Sequence, residues 1–204
     1  MKVKIMEVGP VITNCYIVEN EKTGHAVVVD PGDEGTRIVS ALKRENLTVD
    51  AILLTHGHLD HISGLKEVRE ATGAKVYMAA EDAERLTHAV SAFFPGSAKN
   101  FGAADVLVEE GQVIEAAGYT FKVLLTPGHT PGGCCYLTDD IVFCGDTIFA
   151  ESIGRTDLPG GSYDTLLESI HSKILTLPDE TNLLPGHGLA TTVGWERKRN
   201  PFLQ

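Results

Sequence analysis

Between residues 56 and 61 the chain reads His56-Gly57-His58-Leu59-Asp60-His61, directly after the apolar run Ala51-Ile52-Leu53-Leu54. Four side chains able to bind a metal fall within six positions, and three of them are histidines, of which the whole chain has eight. Imidazole nitrogen and carboxylate oxygen are the donors of zinc-type sites. A helix would put 56 and 60 on one face and turn 58 away. A tight loop after a buried strand can instead fan 56 and 58 one way and the adjacent pair 60 and 61 another. That pattern points to two neighbouring metal sites completed from elsewhere; the plain alternative is a polar loop with clustered histidines.

Candidates for the missing ligands follow three other apolar runs. Thr126-Pro127-Gly128-His129-Thr130-Pro131-Gly132 comes after Val123-Leu124-Leu125, Cys144-Gly145-Asp146-Thr147 after Ile141-Val142-Phe143, and Leu184-Pro185-Gly186-His187-Gly188 closes another short apolar stretch. Each time a strand-like run ends, a glycine allows the chain to turn tightly, and one His or Asp sits in or beside the turn. Alone, each is an ordinary strand-end turn. Together with the cluster at 56–61 they form a joint signal.

The series His56-x-His58-x-Asp60-His61, His129, Asp146, His187 resembles the metal-ligand series of the metallo-β-lactamase superfamily, over nearly the full chain. The early Asp30-Pro31-Gly32 fits it too, since the family places that aspartate behind the metals. Gly145-Asp146-Thr147-Ile148-Phe149, Gly154-Arg155-Thr156-Asp157-Leu158-Pro159-Gly160-Gly161 and the tail from Glu196 to Gln204 resemble the single-domain glyoxalase II-like hydrolases of bacteria and archaea. The resemblance implies His56, His58 and His129 on one ion, Asp60, His61 and His187 on a second, and Asp146 between them. It implies two divalent ions, zinc first, with iron or manganese as the other metals of such sites.

Two departures bear on the substrate. Glyoxalase II carries a helical C-terminal domain that contacts glutathione, whereas only about seventeen residues follow His187 here. We therefore expect one metallo-β-lactamase-like domain over 1–204 and no helical substrate domain. Glyoxalase II also resembles Gly-Lys-Phe-Tyr where this chain has Gly154-Arg155-Thr156-Asp157. The latter string recurs in persulfide dioxygenase relatives, which use one iron on the residues matching His56, His129 and Asp146. Their last histidine sits in an Ala-His-Asp context, unlike Pro185-Gly186-His187-Gly188.

Such donors leave coordination positions open for water, and water on a divalent ion loses its proton near neutral pH. Asp60, a ligand, can also orient that hydroxide. A thiol of pKa about 8.5 can depart unprotonated, whereas an amide nitrogen needs an acid. With most ionisable groups used as ligands, thioester cleavage fits best, and S-lactoylglutathione is the expected type of small-molecule substrate. A mononuclear iron persulfide dioxygenase, and a lactonase or β-lactamase, are the alternatives. Arg155 could grip a substrate carboxylate through two parallel hydrogen bonds or pair internally with Asp157. Residues 89–104, with Phe93 and Phe94, could form a lid or a local core.

Composition narrows the field. The chain has 204 residues, 43% of them hydrophobic, and a net charge of −11 with 17 basic residues. That balance disfavours nucleic acid and anionic membranes as partners. No apolar run is long enough to span a bilayer, and Met1–Glu7 lacks the apolar centre of a signal peptide, so we expect a cytosolic protein. Nothing in the sequence specifies an oligomer. Cys15, Cys134, Cys135 and Cys144 show no Cys-x-x-Cys spacing and read as reduced core residues.

Patterning predicts strands over 3–8, 14–19, 25–30, 51–54, 75–78, 105–108, 112–115, 119–125, 133–138 and 141–144. It predicts helices over 34–46, from about Ile62 to Gly73, over 81–88 and over 162–175. Ile38, Val39 and Leu42, then Ile62, Leu65 and Val68, then Leu166, Leu167, Ile170 and Ile174 form their apolar stripes. Two strand-rich halves flanked by helices predict a four-layer αββα sandwich of the α/β class with both ligand groups at one edge. His25, His88 and His171 fall outside the metal set.

Overall fold

The computed structural model describes residues 1–88 and 99–204. One six-stranded sheet runs in chain order through β1 (Lys2–Val8), β2 (Thr13–Asn20), β3 (His25–Val29), β4 (Thr48–Leu53), β5 (Lys75–Ala79) and β6 (Val106–Val108). Its first three strands pair antiparallel and the last four parallel. The second sheet contains β7 (Val113–Ala116), β8 (Tyr119–Leu125), β9 (Cys134–Thr138) and β10 (Ile141–Gly145). A small hairpin, β11 (Ile148–Phe149) with β12 (Ser152–Ile153), precedes its last two strands, β13 (Asn182–Pro185) and β14 (Thr191–Thr192). Within it only β10 and β13 are parallel neighbours.

Three separate cores define four layers. Strand side chains alternate between faces. Val27 and Val29 of β3 point inward with Phe121, Tyr136 and Phe143 to fill the space between the sheets. Ala26 and Val28 point outward with Ile38, Leu42, Ile62, Leu65 and Val68, under helices α1 (Gly35–Arg44), α2 (Leu59–Ile62) and α3 (Leu65–Thr72). On the far side Leu166, Ile170, Ile174 and Val193 cover the second sheet. Adjacent Cys134 and Cys135 divide between the middle and outer cores, as a strand requires. All four cysteines are buried free thiols. The expected αββα sandwich is the fold.

Direction of travel brings the site to one edge. Strands β3 and β4 are parallel and end at Asp30 and at the loop before His56. Strands β8, β10 and β13 share one direction, being related by two antiparallel steps and one parallel step, and end before His129, Asp146 and His187. Strand β2 is antiparallel to β3, so its first residues, Thr13 and Asn14, start at that same edge.

Several expected elements differ in detail. Asp60 and His61 lie on the short helix α2 and not in an open loop. The helix foreseen from Ile62 to Gly73 is interrupted at Gly64, whose N–H turns to the Pro31 carbonyl at 2.9 Å. The helix over 81–88 resolves into a 3-10 turn, Ala80–Asp82, and α4 (Glu84–Thr87). That over 162–175 becomes α5 (Tyr163–Ser169) continued by a π-helical turn, Ile170–Ile174. The basic tail forms α6 (Val193–Arg199), where Glu196 is fully buried and accepts from Thr191 Oγ1, Glu151 N and Asn200 Nδ2. Arg197 is ion-paired with Asp179. Phe93 and Phe94, on which the lid reading rests, lie outside the described residues. No helix among the described residues is long and apolar enough to cross a membrane.

Candidate metal centre

All seven predicted ligands converge. His56 Nε2 stands 3.1 Å from His58 Nδ1, which stands 2.9 Å from His129 Nε2. His187 Nε2 is 3.1 Å, and His61 Nε2 3.6 Å, from Asp60 Oδ2. Asp146 lies between these triads, with Oδ1 3.3 Å from His61 Nε2 and Oδ2 3.5 Å from His129 Nε2 and 3.7 Å from His187 Nε2. Donors at about 2.0–2.1 Å around a tetrahedral zinc stand roughly 3.4 Å apart. The spacings observed bracket that value.

Hydrogen-bond accounting favours cations at the centre. His61 Nε2 and Asp146 Oδ1 are both buried and have no hydrogen-bond partner. Orphaned polar atoms of this kind are costly unless something else satisfies them. A single proton on His58 Nδ1 would have to serve the lone pairs of both His56 and His129, whereas one cation serves all three nitrogens. The donor atoms of His56, His58 and His129 lie within 4.8 Å of one another, as do those of Asp60, His61 and His187. The residues fit divalent metal ions.

The opposite ring nitrogens are held by acceptors that decide the tautomer. His61 Nδ1 donates to Asp30 Oδ2 at 2.9 Å, His129 Nδ1 to the Arg155 carbonyl at 2.7 Å, and His187 Nδ1 to the Val11 carbonyl at 3.2 Å. Thr55 Oγ1 donates to Asp30 Oδ2 at 2.6 Å and so accepts from His56 Nδ1 at 3.1 Å. In each of these four rings Nε2 is left with its lone pair facing the cluster. Asp30, expected behind the metals, thus orients His61 directly and His56 through Thr55. It does so from a left-handed backbone (φ 46°), which aspartate tolerates better than most residues.

The electrostatics of the metal-free site follow from this arrangement. Burial, reinforced by neighbouring imidazoles, holds His56 well below its ordinary pKa and His58 down at about 4. Burial also disfavours charge on His61, but Asp146 and Asp30 outweigh it and hold that ring well above its ordinary value. His187 is raised, burial being offset by its hydrogen bond with Asp60 and the charge of Asp146. Asp60 and Asp146 are lowered by the adjacent histidines despite burial. The raised values favour the protonated forms of His61 and His187 beside the carboxylates, so a cation bound there competes with protons for the same lone pairs.

Two features escaped the sequence reading. Asp82, fully buried, accepts from Gly57 N at 2.8 Å and Gly132 N at 3.0 Å, tying the 56–61 loop to the 128–132 loop. Asn14 Nδ2 holds the Pro185 and Gly188 carbonyls, which flank His187. Of the two roles open to Arg155, the structure shows the internal pair. Its guanidinium makes a two-point pair with Asp157 at 2.8 Å on each arm, and it is the Arg155 carbonyl that serves the site. Close packing restricts two turns: a Cβ on Gly186 would lie 2.3 Å from Asp146 Oδ1, and one on Gly154 1.8 Å from the Asp146 carbonyl. Among the other histidines, His25 pairs with Asp50 at 2.6 Å, and His88 Nδ1 contacts Thr87 Oγ1 at 3.0 Å.

The chain matches the sequence profile of the Metallo-beta-lactamase superfamily over residues 8–187. It is 41% identical to a probable metallo-hydrolase, YqgX, of Bacillus subtilis, covering 100% of this chain and 98% of that one. It is 33% identical to the hydroxyacylglutathione hydrolase GloC of Haemophilus influenzae, covering 100% and 98%. Among solved structures it resembles the BLEG-1 B3 metallo-beta-lactamase with a TM-score of 0.93, 40% identity and 99% coverage of both chains. It resembles TTHA1623 in a di-iron-bound form with a TM-score of 0.84, 36% identity and coverage of 98% and 100%. The chain belongs to the metallo-beta-lactamase superfamily.

Proposed function

We propose that the protein is a dinuclear metal-dependent hydrolase of glutathione thioesters, S-lactoylglutathione among them. The observation that carries this is the pair of His/Asp triads flanking Asp146, closed by buried His56 and His61 on one side and open at Asp60 and His187, 33% and 28% exposed, on the other. In this reading His56, His58 and His129 hold one ion, Asp60, His61 and His187 the second, and Asp146 both. When bound, such ions supply Lewis acidity at the substrate carbonyl and bring the pKa of water near neutrality.

The chain's own groups supply position and charge. Asp60 Oδ2, braced by Thr13 Oγ1 at 3.4 Å, accepts a hydrogen bond from the attacking water and aims it at the carbonyl. Asp30, Thr55, Arg155 and Val11 keep the lone pairs of four imidazoles on the cluster. The thiolate departs without an acid, which suits a site where each His and Asp of the cluster is already engaged as a donor. The 33% identical hydroxyacylglutathione hydrolase supports the same substrate class. The second triad weighs against a mononuclear dioxygenase, and the likeness to a di-iron protein keeps iron beside zinc as the metal.

A β-lactam hydrolase is the second reading, favoured by the likeness to a B3 metallo-beta-lactamase. Steady-state kinetics of the metal-loaded enzyme on matched thioester, lactone, amide and β-lactam substrates separates the two. Thioesters should be cleaved fastest and chelation should abolish turnover. Amide or β-lactam cleavage faster than thioester cleavage would overturn the proposal.

A further inference from the structure

Three chain segments carrying large, partly or mostly exposed apolar residues meet at His187, on the open side of the cluster. Val11 and Ile12, in the turn between β1 and β2, are 53% and 54% exposed, and Leu189, two residues after His187, is 80% exposed. Half-buried Phe149 stands with its ring centroid 6.2 Å from that of His187. Their segments meet at His187: the Val11 carbonyl accepts from its Nδ1, Thr13, next to Ile12, bridges to its backbone, and the carbonyl of Gly188, next to Leu189, is held by Asn14. Exposed aliphatic residues scattered singly need no explanation, but a cluster at the mouth of a polar site does.

The turn is also strained. Ile12 has φ 58°, a left-handed conformation that a β-branched residue rarely adopts. Glycine or asparagine would sit there with less strain, so folding alone does not explain the isoleucine. The turn is nonetheless fixed, by Ile12 N to the Gly9 carbonyl at 3.3 Å, Gly9 N to Glu34 Oε1 at 3.3 Å, and Asn14 N to the Gly186 carbonyl at 2.7 Å.

We infer that Val11, Ile12, Leu189 and Phe149 form the acyl-group subsite, and that the enzyme prefers thioesters whose acyl group is a longer aliphatic or aromatic chain over the small hydroxylated lactoyl group. This rests on the thioester reading. The glutathionyl half of such a substrate is polar and charged and gains nothing from apolar contact. The acyl half is the part that an apolar rim can desolvate. Each methylene moved from water onto apolar surface favours binding by about two- to fourfold, the lower figure where burial is partial.

The test is kcat/KM of the metal-loaded enzyme over S-acetyl, S-butyryl, S-hexanoyl and S-lactoyl glutathione, with the acyl group then held fixed while the thiol is varied. We expect a rise of at least tenfold from acetyl to hexanoyl. In Ile12→Asn/Leu189→Ser, where asparagine suits the left-handed turn and Leu189 is mostly exposed, the hexanoyl substrate should lose about tenfold more than the acetyl one. No rise with chain length in the wild type, equal losses on both substrates, or a dependence on the thiol alone would overturn the assignment. So would self-association of the wild type that the double variant abolishes while the chain-length slope stays the same, since the surface would then be a contact between copies. If no thioester is cleaved, the thioester reading falls by itself. Binding of octanoate against acetate to the metal-loaded protein then decides the rim, and equal affinity, or no change in the double variant, would refute it.

Discussion

Replacing Asp30 with Asn isolates the contribution of ligand orientation from that of the ligands themselves. The side chain keeps its shape, and asparagine tolerates the left-handed backbone at this position as well as aspartate does. The hydrogen bonds do not survive. Asp30 Oδ1 accepts from Thr55 N at 2.8 Å, while Oδ2 accepts from Thr55 Oγ1 at 2.6 Å and His61 Nδ1 at 2.9 Å. An amide has one acceptor atom, so one of these two places must receive an NH2 group. If the NH2 faces Thr55 N, two donors are buried against each other. If it faces His61, the ring must turn acceptor at Nδ1 and carry its proton on Nε2, where the second triad needs a lone pair. One unsatisfied buried donor costs about 1–3 kcal/mol. Loss of an orienting partner typically costs 10–100-fold in metal affinity, about 1.4–2.7 kcal/mol. The two routes agree in size. We therefore expect Asp30→Asn to weaken the ion at Asp60, His61 and His187 by 10–100-fold, with a smaller effect at His56, His58 and His129. Titrating chelator-stripped protein with zinc against a chromophoric competitor resolves the two affinities, and excess zinc should restore part of the lost turnover. Two unchanged affinities accompanied by a lowered Tm would show that Asp30 packs the edge and does not orient ligands.

Other perturbations test separate parts of the site. Asp146→Ala should reduce binding of both ions and His187→Ala mainly that of the second; two retained metal equivalents with full activity in Asp146→Ala would remove the bridging role. Arg155→Ala breaks an exposed, solvent-screened pair with Asp157. If Arg155 also grips substrate, it should weaken use of glutathione thioesters more than of small uncharged ones; equal losses with a lowered Tm would leave it a structural ion pair. Metal-free protein should be most stable near pH 6.5. Below that value the unfolded chain binds protons that His56 and His58 resist in the fold, so stability falls toward pH 4. Above it the unfolded chain releases protons that His61 and His187 retain, so stability falls again as pH rises through their folded values. A Tm that climbs steadily from pH 6.5 to 9 would contradict this.

The layers were legible because burial imposes period. Of the predicted stripes, Ile38, Leu42, Ile62, Leu65, Val68, Leu166, Ile170 and Ile174 are buried, while Val39 and Leu167 are half-buried against the same cores. The interruption at Gly64 was not legible, because the partner that draws its N–H away, the Pro31 carbonyl, lies far off in sequence. Glu196 was hidden for the same reason: in a tail reading Glu-Arg-Lys-Arg it looks solvated, yet its three hydrogen-bond donors come from residues 151, 191 and 200.

The same division runs through the metal centre. The residues that can donate to a metal were readable because few side-chain types do so, and a strand end with a glycine is where a short side chain can reach inward. The groups that orient them were largely unreadable. Of the four acceptors facing imidazole Nδ1 atoms, Asp30 alone had a sequence signature, in Asp30-Pro31-Gly32. The others are a threonine hydroxyl and the carbonyls of Arg155 and Val11, and every residue carries a carbonyl. What matters at those two positions is the backbone path, so their side chains are free of the orienting task. At Arg155 that side chain is turned to Asp157; at Val11 it is turned outward, beside the strained Ile12. An edge whose backbone fixes the ligands while its side chains are spared that task can change what it binds without disturbing the cluster. That separation would place the choice of substrate on the rim and not on the cluster.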